Sequence, residues 1–180
     1  MHDHVALGFD LAFKYRNPAL ILADGAIGQM MEKVVLAPQR PRKTNEEIAE
    51  ECKEWAACGK GNRKERNIIT SLELQSEVME KINQRLQAKY KALEENEVRY
   101  EAINCDDADY VIVAFGSSAR ICSATVELAR AEGLKVGLLR PITLYPFPSK
   151  VIADLAKRGV KGFLSASSMP ARWSRMLDSP

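Results

Sequence analysis

The stretch from Ala108 to Val160 constrains this chain most, because strand, turn, helix, strand, loop and helix signals follow one another there without a gap. Tyr110 to Phe115 (YVIVAF) is an unbroken apolar run. With no polar alternation, it has the pattern of a strand buried on both faces of a parallel sheet. Gly116, Ser117 and Ser118 end that strand and open a helix. Ile121, Thr125, Leu128 and Ala129 recur at helical spacing and predict its core-facing stripe, and Gly133 stops it. Lys135 to Leu139 reads as a second strand. A loop whose path is fixed by Pro141, Pro146 and Pro148 leads to a helix over Ser149 to Arg158, with Val151, Ile152 and Leu155 inward, and Val160 to Leu164 reads as a third strand. Strands alternating with helices in this way build an open α/β sheet through right-handed crossovers.

The segments before this unit are less complete. Val5 to Tyr15 predicts an amphipathic helix broken at Asn17 and Pro18, followed by a short buried strand at Ala19 to Ala23. Asp24 and Gly25 turn out of that strand, and a polar loop runs on through Gly28 and Gln29. One strand cannot form a core, so this part is expected to be the remnant of a larger sheet or to dock on another chain. Thr44 to Trp55 reads as an acidic helix in which Thr44 and Glu47 form a capping box. Gly59 to Lys64 is a basic loop. Its Gly-Lys pair does not make a phosphate-binding loop, since no strand precedes it and the G-x-x-x-x-G-K-S/T spacing is absent. Leu74 to Arg99 carries the longest helical pattern, with Val78, Ile82, Leu86, Tyr90 and Leu93 along one narrow side, and Cys105 to Ala108 reads as a linker. So thin a seam suits a helix lying across a domain junction or against another subunit.

Charge and composition exclude several classes of function. A net charge of +2, with basic and acidic residues interspersed, gives no basic stripe for nucleic acid. The longest apolar stretch falls far short of the roughly 20 residues of a membrane span, and His2-Asp3-His4 is not a signal-peptide start, so a cytoplasmic protein is expected. Cys52, Cys58, Cys105 and Cys122 lack C-x-x-C spacing and read as reduced thiols rather than zinc or iron-sulfur ligands. His2 and His4 read as solvated residues of a terminus, and no metal site is expected. Gly116, Ser117 and Ser118, at a carboxyl strand edge opening a helix, could hold an anion through backbone N–H groups and hydroxyls. A tight turn with an N-cap accounts for the same residues equally well.

Four ordered motifs carry a resemblance: Tyr15 to Gly25 (YRNPALILADG) with Gly28-Gln29-Met30, Asn67 to Leu72 (NIITSL), Phe115 to Ile121 (FGSSARI) and Gly137 to Pro148 (GLLRPITLYPFP). Together they resemble the alpha subunit of 2-oxoacid:ferredoxin oxidoreductases, in particular the branched-chain type acting on 3-methyl-2-oxobutanoate (2-ketoisovalerate), over Leu7 to about Ser165. The resemblance implies oxidative decarboxylation of a 2-oxoacid to acyl-CoA with ferredoxin as electron acceptor. Pyruvate or 2-oxoglutarate is the alternative substrate, and a truncated, non-catalytic assembly module the alternative role. It also implies thiamine diphosphate with magnesium at the interface with a beta subunit, and iron-sulfur clusters on other subunits, a gamma subunit among the partners. The cofactor supplies the ylid and the electron sink, and the protein orients it.

By the same likeness, residues 1–43 are the end of a pyrimidine-binding domain and 44–107 a helical connector, with residues 108–180 a transketolase C-terminal-like α/β domain. Asp24, Gly25, Gly28 and Gln29 then fall in an interface loop near the thiamine site, and no catalytic residue transfers to this chain. Asp24-Gly25 is one corner of a Gly-Asp-Gly…Asn diphosphate and magnesium signature, but Ala23 replaces the first glycine and Asn45 comes too early, which favours a plain turn. The tail departs from the family in a particular way. Where family members continue with a run such as VELNAGQMVEDVRLA, one coding of that run read one nucleotide later spells Ser167 to Ser179 and begins the Pro180 codon. A frameshift near Ala166 is therefore expected, with an ordinary divergent terminus as the alternative and poor packing of Met169 to Pro180 as the consequence.

Overall fold

The computed structural model describes residues 2–36, 38–39, 41–57, 60 and 65–167. The chain divides into two compact units, Met1–Glu32 with Ala88–Pro180, and Lys33–Gln87.

The first unit is built on a four-stranded sheet of order β1-β3-β2-β4, from β1 (Tyr100–Ile103), β2 (Tyr110–Ala114), β3 (Val136–Pro141) and β4 (Gly162–Ala166). The apolar run at Tyr110 makes β2 a central strand, parallel to β3 on one side and β4 on the other. Its residues alternate between two cores. Val111 and Val113 join Leu139 and Leu155 on one face with Phe147, Val151 and Ile152. Ile112 and Ala114 join Ala119, Cys122, Val126 and Leu138 on the other. Helices α5 (Gly116–Ala131) and α6 (Ser149–Lys157) therefore cover opposite faces, which is why β2 has no polar position to offer water. Each fully buried valine or leucine contributes roughly 1.5–3 kcal/mol of apolar transfer.

Gly133, at φ +87°, takes the left-handed conformation that ends α5, and the next N–H, that of Leu134, donates back to the Ala129 carbonyl at 3.0 Å. Pro141 at the end of β3 and Pro146 and Pro148 beyond it are all buried, and the Tyr145–Pro146 peptide is cis.

Three expectations change. The inward stripe of α5 is Ala119, Cys122 and Val126, whereas Ile121 and Leu128 are 69% and 70% exposed. Two apolar rows run along this helix, and the row of smaller residues is the one that lets it lie close on the sheet. Ala19 to Ala23 forms no strand, and Leu20 and Leu22 are 82% and 66% exposed. No described strand lies beside it to complete its backbone hydrogen bonds. The segment after Asp24 is not a loop but a short helix, α2 (Gly25–Gln29). The antiparallel edge strand β1 is a further element, paired with β3 from Tyr100↔Pro141 to Ile103↔Leu138. It falls between the helical pattern that ends at Arg99 and the linker that begins at Cys105. Sheet closure against β3 decides it, not local pattern.

Helix α1 (His2–Tyr15) ends one residue before Arg16, as the Asn17-Pro18 break requires. Gly8 of α1 is buried, and a Cβ there would stand 3.1 Å from Ile21 Cδ1, so the chain after Pro18 lies close along this helix.

In the second unit, α3 (Asn45–Cys52) has the expected capping box. Glu47 N–H donates to Thr44 Oγ1 at 3.2 Å, and Thr44 N–H donates to Glu47 Oε2 at 2.8 Å. The Asn67 side chain donates to the carbonyls of Lys53 and Ala56, closing the intervening excursion. Helix α4 (Ser76–Asn96) has Val78, Ile82, Leu86, Tyr90 and Leu93 half-buried along it. Most of the basic loop at Gly59 to Lys64, Cys58 and the tail beyond Ser167 lie outside the described residues.

Candidate functional site

The two stretches singled out in the sequence meet. Gly116 opens α5 at φ +59°, a left-handed conformation that glycine adopts without cost, and it turns the chain sharply out of β2. The N-cap residue is Phe115, whose side chain makes no cap hydrogen bond, and the first turn contains no acidic residue. The carboxylate comes from elsewhere: Ser117 Oγ donates to Asp24 Oδ2 at 2.7 Å. Three residues further along the same helix, Arg120 Nη2 donates to Glu32 Oε1 at 3.2 Å. The first turn of α5 thus holds both ends of the segment carrying α2.

The location of Asp24 suits its charge, since a helix N-terminus favours a carboxylate. It also settles how the predicted residues are disposed. Asp24, Gly25, Gly28 and Gln29 lie on or beside α2, with the Gly28 N–H donating to the Asp24 carbonyl at 3.1 Å. A Cβ added at Gly25, Gly28 or Gly116 would meet nothing within 4 Å, so none of these glycines makes a tight cradle. Ser118 is half-buried at the start of α5. No group of three or more His, Cys, Asp or Glu side chains that could hold a metal is gathered among the described residues. With Asp24 engaged by Ser117, the residues present do not fit a complete magnesium and diphosphate site.

A second polar cluster has no mark in the sequence. Glu97, 4% exposed, is the buried acid among the described residues. Its Oε1 accepts from Lys14 Nζ and Tyr15 Oη, both at 2.7 Å, and its Oε2 accepts from Arg99 Nη2 at 2.9 Å. Burial pushes the Glu97 carboxyl up, but the hydrogen bonds from Lys14, Tyr15 and Arg99 outweigh it and hold it at about 2, below the ordinary 4.5. Lys89 adds to the same junction, its Nζ donating to Asn17 Oδ1 at 2.6 Å and to the Tyr15 carbonyl at 3.3 Å. The arrangement binds the end of α1 to the chain around β1; every lone pair used is spent on structure. Glu97 follows Glu94, Glu95 and Asn96, which read as the polar end of a helix, and only its distant partners distinguish it.

The thiols behave as buried groups. Cys105 and Cys122 are buried and Cys52 is half-buried. Burial raises the Cys105 and Cys122 thiols above their ordinary range, which disfavours the thiolate. No described helix is long and apolar enough to cross a membrane.

Comparison with known proteins gives a consistent set of relatives. Residues 108–169 match the family model of pyruvate:ferredoxin oxidoreductase core domain II. The chain is 48% identical over 159 residues to ketoisovalerate oxidoreductase subunit VorB of Methanothermobacter marburgensis, a match covering 88% of this chain and 43% of that protein. It is 29% identical over 176 residues to 2-oxoglutarate synthase subunit KorA of Methanocaldococcus jannaschii, covering 89% of this chain and 48% of that protein. Among solved structures, 2-oxoglutarate:ferredoxin oxidoreductase from Magnetococcus marinus matches with a TM-score of 0.47 and 17% identity, over 68% of this chain and 27% of that one. The chain spans less than half the length of the curated relatives it matches.

Proposed function

Because this chain belongs to the family of 2-oxoacid:ferredoxin oxidoreductase subunits, we propose that it serves as the C-terminal part of an alpha subunit in a multisubunit enzyme of that type. The proposed reaction is oxidative decarboxylation of 3-methyl-2-oxobutanoate to its acyl-CoA with reduction of ferredoxin. The observation that carries the substrate is the 48% identity to a ketoisovalerate oxidoreductase subunit, against 29% to a 2-oxoglutarate synthase subunit. Thiamine diphosphate with magnesium would be held at the interface with a beta subunit and the iron-sulfur clusters by other subunits, a gamma subunit among them, in the cytoplasm. This chain would supply the end of a pyrimidine-binding domain (1–43), a helical connector (44–107) and a transketolase C-terminal-like α/β domain (108–180).

In this reading the segment around Asp24, Gly25, Gly28 and Gln29 faces the thiamine site as a shaped wall, and the turn at Gly116, Ser117 and Ser118 supports it. No catalytic residue is assigned to the chain. The test is co-expression with beta and gamma subunits, with the remaining half of the alpha subunit supplied in trans, followed by 2-ketoisovalerate-dependent reduction of ferredoxin. Turnover with 2-ketoisovalerate over pyruvate and 2-oxoglutarate is expected. Turnover with one of the other acids in preference would reassign the substrate, and no turnover with any of them would favour a non-catalytic assembly role.

We also infer that the tail from about Ala166 is read out of frame. Support comes from the fit of residues 167–180 to a shifted coding and from a family match that stops at residue 169. An unambiguous in-frame gene sequence with no family-like run in the adjacent frame would refute this.

A further inference from the structure

We infer that Ser117 and Arg120 are positioning residues: together they form a two-point clasp that fixes the segment from Asp24 to Glu32 on the first turn of α5. Residues three apart on a helix point the same way, so one face of a single turn presents a hydroxyl and a guanidinium side by side. The hydroxyl holds Asp24 at 2.7 Å and the guanidinium holds Glu32 at 3.2 Å, at the two ends of the segment containing α2. A five-residue helix does not hold itself together in water, because nucleating the first turn costs more than so few hydrogen bonds return. Gly25 and Gly28 add to that cost, and a Cβ at either would touch nothing within 4 Å, so packing at those positions does not secure it. The two side-chain contacts to α5 stand at its ends.

The two contacts differ in strength. Arg120 and Glu32 are both well exposed, so their ion pair is screened and weak. The Ser117 to Asp24 bond is a short, charge-assisted hydrogen bond at a helix N-terminus, where the dipole adds to it. Ser117 is therefore the main point and Arg120 the auxiliary one. The clasp ties the placement of α2 to a rigid sheet, since α5 is rooted in the core by Ala119, Cys122 and Val126. It also gives Asp24 a task in which the acceptor oxygen makes the contact and the negative charge strengthens it. The clasp holds whatever α2 faces, and is independent of the reading of the chain as an oxidoreductase subunit.

Hydrogen exchange of the full 180-residue chain tests it, with amides 25–32 as readout and those of β2 and β3 as the internal control for folding. Ser117→Ala is expected to speed exchange of amides 25–32 about tenfold, and Arg120→Ala about twofold, with β2 and β3 unchanged. Asp24→Asn keeps an acceptor but loses the charge, so its rate should fall between the native one and that of Asp24→Ala, which should match Ser117→Ala. Arg120→Glu should speed exchange more than Arg120→Ala but less than Ser117→Ala, and Glu32→Arg in the same chain should restore the native rate, which keeps the test valid if a single variant folds poorly. Native rates in both Ser117→Ala and Arg120→Ala would overturn the clasp. So would a fully open segment in the unaltered chain, or loss of protection in Asp24→Asn equal to that in Asp24→Ala.

Discussion

Gly137 shows how much one position can require. It lies in β3, opposite Val111, with the chain after β1 crossing over it. A Cβ there would stand 2.8 Å from the Asn104 carbonyl oxygen and 3.0 Å from both Cα and Sγ of Cys105. Two of those atoms are backbone and cannot swing away. Gly137→Ala is accordingly expected to cost about 1–3 kcal/mol of stability, the range for forcing extra volume into a packed core, measured by urea unfolding. An unchanged midpoint would mean that the crossing chain moves freely. Glu97 sets a second expectation at this scale. Its carboxyl is held at about 2 when folded and near 4.5 when released, so its contribution is fully present above 4.5 and is lost as pH falls from there through 2. That shift is on the order of 3 kcal/mol. Unfolding measured between pH 7 and 2 should show this slope in the native chain and lack it in Glu97→Gln. Equal profiles would remove Glu97 from any role in holding α1.

At the scale of elements, legibility follows locality. The capping box of α3, the Gly133 stop of α5, the strand at Tyr110 and the inward residues of α6 were all readable, because each depends on residues within a few positions of one another. What depends on distant partners was not. Strand β1 exists because β3 pairs with it, and Ala19 to Ala23 is no strand because nothing described pairs with it. The junction of Asp24 with Ser117 joins two stretches that were each legible as turns, while their meeting was not. The face of α5 is the instructive error: Ile121 and Leu128 obey helical spacing as well as Ala119, Cys122 and Val126 do. Periodicity ranks rows by apolar content, whereas the sheet selects the row that packs closest. Val126→Ala should then destabilise the chain by about 2 kcal/mol, through lost transfer energy and a residual cavity. Leu128→Ala should stay within about 0.5 kcal/mol. Thermal unfolding of the two variants side by side checks this, and a larger loss at Leu128 would return the helix to the orientation its spacing first suggested.

At the scale of the whole molecule, the two units differ in how they treat apolar side chains. The sheet encloses Val111, Val113, Leu138, Leu139 and Leu155 almost completely. Outside it, in the first unit, Leu20 and Leu22 stand in a stretch without regular structure, and in the second unit Ile68, Ile69, Leu72 and Leu74 are likewise exposed. Scattered apolar residues on a surface need no explanation, but runs of them in segments without secondary structure make apolar faces able to associate with other apolar surfaces. The chain alone is therefore expected to bind an apolar dye such as ANS while its sheet remains protected from hydrogen exchange. That combination separates exposed faces on a folded body from a loosely packed state, in which dye binding and loss of amide protection rise together. Leu20→Lys with Leu22→Lys should lower the dye signal without changing the unfolding midpoint, since neither side chain belongs to either core cluster. Undiminished dye binding in that double variant would place the sticky surface elsewhere, and a fallen midpoint would show that Leu20 and Leu22 already pack against the fold.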